Sequence, residues 1–107
     1  MKYVLKIRSV EIEKSLDNLK DVIDIVEWEY IGISDRGTIF NHVVRTEIPS
    51  PSTENFKPYE KVTRDDVIEW IKQKFTSEDF TELEAYIFKE IEAKENPTRI
   101  VKQNPFG

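Results

Sequence analysis

Residues 34–38, Ser34-Asp35-Arg36-Gly37-Thr38, restrict the fold of this chain more than any other stretch. Asp35 and Arg36 suit the central places of a type I turn, and Gly37 suits the left-handed residue that follows. Such a loop closes a three-residue hairpin with a bulge, and it fixes the register of both flanking strands. Ser34 then pairs with Thr38, Gly32 with Phe40, Tyr30 with His42 and Trp28 with Val44. Glu27 meets Arg45 on the opposite face as a cross-strand charge pair. The apolar residues gather on one side, whereas a slip of one residue scatters them over both.

Alternation extends this hairpin into a meander. Tyr3, Leu5 and Ile7 share one face of a first strand over residues 3–12, with Lys6 and Arg8 on the other. Residues 13–20, charged and containing Asn18, read as a turn or long loop. The second and third strands cover 22–34 and 38–48. Pro49 and Pro51 end the ladder, because neither ring nitrogen donates a hydrogen bond. The loop from Pro49 to Val62 is long for a compact domain. Phe56 and Tyr59, flanking Pro58, are expected to pin it to the sheet.

From Thr63 onward the period changes from two to about 3.6. Thr63 is an N-cap with Asp66 three residues later, and Val67, Ile68, Ile71 and Phe75 form the apolar stripe of a helix over 64–75. Trp70 sits at the margin of that stripe. A second helix over 78–95 carries Phe80, Leu83, Ile87 and Ile91 at helical spacing, and Asn96-Pro97 stops it. The tail, 96–107, offers a short fourth strand or an anchor at Phe106. Strands followed by helices define an α+β fold: a three-stranded, or with the tail four-stranded, antiparallel meander covered on one face by two short helices. The 107 residues suit a single domain over 1–107.

Composition narrows the function classes. A net charge of −5 repels phosphate backbones, which weighs against nucleic-acid binding. No apolar run approaches the roughly 18 residues that span a bilayer, and Met1-Lys2-Tyr3 opens no signal peptide, so no membrane partner is expected. The absence of cysteine excludes disulfides, thiolate catalysis and cysteine-based metal sites.

Individual side chains offer little chemistry. His42, the sole histidine, has Tyr30 rather than a carboxylate as its strand neighbour. Glu27 and Glu29 lie about 6.6 Å apart along one strand face, a carboxylate spacing that glycoside hydrolysis uses. Both are expected to face solvent, with Arg45 as a salt-bridge partner for Glu27. Asp65 and Asp66 diverge by about 100° around the helix, which suits capping rather than a metal. Trp28, Tyr30 and Phe40 suggest a base-stacking platform, but the helical stripes need that same face as their core. Trp70, at the stripe's edge, is a candidate interface anchor.

Several segments together resemble a family of small proteins from tailed phages of marine bacteria, cyanophages among them. They are the strand bearing Trp28, the turn Asp35-Arg36-Gly37-Thr38, Phe56-Lys57-Pro58-Tyr59, and the run from Val62 to Ile71 that includes Trp70. Glu84 and Ile91 on the second helix, Pro97, and Pro105-Phe106 in place of the family's closing Pro-Trp complete the likeness. It covers about two-thirds of the chain. Arg36 is inserted into the family's Asp-Gly-Thr turn, and this chain is more highly charged. The resemblance implies phage origin and a shared fold, and it brings no catalytic residue.

The expectation from sequence is therefore a non-enzymatic phage protein in the virion or the host cytoplasm. It would work by contact with a virion or host protein, without cofactor or metal. Trp70, Phe106, Glu27, Glu29 and Arg45 are its candidate interface residues. Homo-oligomerisation stays open, because the first strand lies at a sheet edge. A small carboxylate-dependent hydrolase or transferase is the alternative from another class, and a nucleic-acid-binding accessory protein is the third.

Overall fold

The computed structural model describes residues 1–16, 18–49, 56–97 and 104. Three strands, β1 (Lys2–Leu16), β2 (Leu19–Ile33) and β3 (Ile39–Glu47), form an antiparallel sheet in the order β1-β2-β3. A single 3-10 turn (Tyr59–Lys61) leads into α1 (Arg64–Lys74) and α2 (Ser77–Glu95). This is the expected α+β meander with two helices. The proposed tail strand and the Phe106 anchor lie outside the described residues.

The β2–β3 hairpin follows the register that its turn dictates. Tyr30 opposes His42, Trp28 opposes Val44 and Glu27 opposes Arg45. Gly37 has φ +85°, its N–H donates to the Ser34 carbonyl at 2.9 Å, and Ser34 N–H donates to the Thr38 carbonyl at 3.0 Å.

The first hairpin is longer than expected. Residues 13–16 and 19–21 continue the ladder instead of looping, Leu16 pairs with Leu19, and Asn18 has φ +68°. Each strand is 15 residues long, about 50 Å at roughly 3.4 Å per residue. β3 accompanies β2 only as far as Ile25, so the distal end from Ile12 and Ile23 outward is a two-stranded arm.

Two bulges interrupt this hairpin. Arg8 is the extra residue on β1 between Ile7 and Ser9, and Asp24 is the extra residue on β2 between Ile23 and Ile25. The second insertion restores the register that the first displaces. Ile48 N–H donates to the Asp24 carbonyl at 2.7 Å, which ties the end of β3 to that bulge.

Both helices begin with full capping boxes. Thr63 Oγ1 accepts from Asp66 N–H and Asp66 accepts from Thr63 N–H; Thr76 and Asp79 repeat the arrangement. Their stripes supply Val67, Ile71, Leu83, Ile87 and Ile91 to a core completed by Ile23, Val26 and Trp28 from β2. Trp28 is fully buried, its indole N–H donates to Thr46 Oγ1 at 2.9 Å, and Phe75 stands edge-on to it with centroids 5.1 Å apart.

Glycine at position 32 serves close approach. A Cβ there would collide with Ile87 Cγ2 and lie 3.2 Å from Ile91 Cδ1, so α2 rests directly on the β2 backbone. The far end of α2 is tied to the β2–β3 loop, because Glu95 Oε2 accepts from Ser34 Oγ at 2.7 Å and from Thr38 Oγ1 at 2.8 Å. These hydroxyls hold the Glu95 carboxyl below the ordinary carboxylate value.

Candidate functional site

A concavity lies along β1. A groove of about 800 Å³ runs between the strand and the segment 59–67, lined by Val4, Leu5, Ile7 and Val10 on one side and Tyr59, Val62 and Val67 on the other. Its position follows from the fold. Among the described residues β1 pairs with β2 alone, so no described strand covers its outer edge, and the 3-10 turn, packed against β2, contributes Tyr59 to the groove before Thr63 starts α1. Tyr59 is 42% exposed here, so it lines the groove wall instead of pinning the loop in the core, whereas Phe56 is half-buried. Arg64 reaches across to donate to the Leu5 carbonyl at 3.0 Å, which shows that this carbonyl points away from β2. Lys57 and Thr63 N–H both bind Asp66, hold its carboxyl below the ordinary value and fix the start of α1.

The sheet face turned away from the helices carries the charged candidates. Glu27 and Arg45 are opposite in register but choose other partners: Arg8 Nε lies 3.5 Å from Glu27 Oε1, and Arg45 pairs with Glu11. The Glu27–Arg45 bridge expected from sequence is thus replaced by two bridges that reach from β1. The expectation that Glu29 faces solvent is also overturned. Its side chain is buried at 8% exposure and accepts from Asn41 Nδ2 at 3.2 Å. Glu27 and Glu29 therefore present no free carboxylate pair. Around them Ile39 and Val43 are exposed.

Trp70 is half-buried and packs against the core cluster, so its ring is partly spent on the fold. Trp28 is sealed beneath Phe75 and Phe80 and offers no stacking platform. His42 meets the edge of Tyr86 with centroids 5.4 Å apart, a packing contact. Tyr30 donates to Glu84 Oε2 at 3.2 Å, and burial together with that carboxylate pushes its phenol up to about 12. Tyr3 stacks on Tyr30 and is raised for the same two reasons. No set of three or more histidine or carboxylate side chains gathers at metal-binding distance among the described residues. No described helix is long and apolar enough to cross a membrane.

Fold and surface thus define a small α+β chain with an apolar groove beside a strand edge that is open among the described residues. The chain belongs to the family DUF7936, a domain of unknown function whose model matches residues 1–106. No curated protein and no solved structure matches it.

Sequence reasoning missed the groove. Its floor, Leu5, Ile7 and Val10, looks like ordinary core, and only the fold shows that part of it stays uncovered. The one signal was the long connection from Pro49 to Val62, whose end forms the opposite wall.

Proposed function

We propose that this chain is a non-enzymatic phage protein that acts through protein–protein contact, as a minor virion component or as a modulator of a host protein. The observation that carries the reading is the groove. It combines apolar walls with a strand edge that no other described strand pairs, the two features that strand-adding protein contacts use. Its charged residues, Lys6, Glu60 and Arg64, rim the cleft and do not converge on a reaction centre. The phage component of the reading rests on the sequence likeness, from the Trp28 strand through Trp70.

Mass spectrometry of purified phage particles tests the virion form, and affinity capture from infected cells tests the host form. The expected result is a stoichiometric protein partner in one of the two. Lys6→Glu with Tyr59→Ala, which changes the groove rim and leaves the buried core intact, should abolish that recovery. A chain absent from particles that also captures no protein from infected cells would refute the reading.

A further inference from the structure

We infer that the open edge of β1 is self-complementary and pairs antiparallel with β1 of a second copy, giving a dimer with one continuous six-stranded sheet. The inference rests on the protein-contact reading above and names the occupant of that same edge.

Three observations meet in one register. The first is charge. Lys2, Lys6 and Arg8 make the first half of β1 basic on the face away from the helices, and Glu11 and Glu13 make the second half acidic on that face. An antiparallel copy lays each basic half against an acidic half, whereas a parallel copy stacks like on like. Lys6 and Glu13 are both exposed, and neither forms an ion pair among the described residues.

The second is parity. Before the Arg8 bulge the core-facing residues of β1 are odd-numbered, Leu5 and Ile7. After it they are even-numbered, Val10 and Ile12. Self-pairing centred on Arg8 and Ser9 sets Ile7 against Val10, Lys6 against Glu11 and Leu5 against Ile12 of the second copy. Like faces then meet all along the edge. Without the bulge, pairing about that centre would set odd against even and mix the faces. The Leu5 carbonyl is aimed outward, and Arg64, which now donates to it, has to turn aside for the Ile12 N–H of the second copy.

The third is shape. Ile12 is 36% exposed at the root of the two-stranded arm. In this register it enters the second copy's groove beside Leu5. The two grooves sit on the same face but are offset by seven residues, about 23 Å along the strands, so the segments 59–67 do not collide.

The test is sedimentation of the purified chain across a wide concentration range. Lys6→Glu places acid against Glu11 and Glu13 at both ends of the pairing, and Glu11→Lys with Glu13→Lys places base against Lys6. Each variant should weaken the dimer on the order of thirty-fold, and an equimolar mixture of the two should restore it as a heterodimer. Ser9→Cys, beside the axis in a chain without cysteine, should crosslink on mild oxidation, while Lys14→Cys, far from it, should not. Circular dichroism confirms that the variants are folded. A wild-type chain that stays monomeric throughout, or a dimer that both charge variants leave unchanged, overturns the inference. Either result leaves particle association and host capture to be judged on their own experiments.

Discussion

Replacing Gly32 by alanine sets two effects of opposite sign against each other. In a strand, alanine is favoured over glycine by roughly 0.5–1 kcal/mol, because the unfolded glycine has more freedom to lose. At this position, however, the added methyl would overlap Ile87 Cγ2 and press on Ile91 Cδ1 at 3.2 Å. Ile87 is fully buried and its β-branched side chain has little rotamer freedom in a helix, so relief requires α2 to lift from the sheet. Overpacking of this kind costs about 1–3 kcal/mol. The steric term wins, and Gly32→Ala should destabilise the fold by about 1–2 kcal/mol, lowering Tm by about 5–10 °C for a domain of this size. Urea denaturation followed by tryptophan fluorescence reads the change, since Trp28 lies in the same core. Ile87→Ala alone should cost about 2–5 kcal/mol through the cavity it leaves. In that background Gly32→Ala should be neutral or stabilising, because its methyl enters the vacated space, so the double change costs less than the sum. A Gly32→Ala chain as stable as wild type, or strict additivity with Ile87→Ala, would refute close packing of α2 on β2.

Thr46→Val removes the acceptor of the Trp28 indole N–H and leaves a buried donor unpaired; an expected loss of about 1–3 kcal/mol is measurable by the same urea titration. Thr63→Ala deletes the α1 cap and should cost about 1 kcal/mol in thermal melts, with α2 unaffected. Asp66 and Glu95 stay ionised to lower pH in the folded chain than their ordinary values of 3.8 and 4.5. Their contribution is complete above those values and disappears as pH falls through the folded ones, so Glu95→Gln should flatten the acid limb of stability against pH. Tyr30 behaves in the reverse sense: its folded phenol is raised from 10.0 to about 12, so its contribution is complete below pH 10 and is lost as pH rises toward 12. Phenolate absorbance should show a late-titrating tyrosine, and Glu84→Gln should bring that titration to lower pH.

The β2–β3 hairpin was legible because one local signal, a glycine in a left-handed position, propagates by simple counting to every pair from Ser34 to Arg45. The helices were legible because a cap residue and a 3.6-residue stripe agree. The first hairpin was not read in full. Its residues from Glu13 to Lys20 look like a loop because of their charge and Asn18, yet Glu13, Lys14 and Ser15 are exposed in the ladder, where a strand needs no apolar alternation. Glu29 was misplaced for a related reason. Alternation assigns a face, but it cannot tell how much that face is shielded by neighbours such as Asn41. The partners of Glu27 and Arg45 were chosen by β1, whose bulge no local pattern announced. The groove was hidden because concavity is a property of separate segments brought together, here residues near 5 and near 62.

The insertions at Arg8 and Asp24 are coupled across the ladder even though each is a local event. Losing Arg8 alone would send every residue of the arm to the wrong side, and losing Asp24 alone would do the same to its tip. Removing both returns the chain to an uninterrupted ladder. Length changes in this family are therefore expected to arrive at these two places in the same lineage, so an alignment of its members would carry the record as a matched pair of gaps.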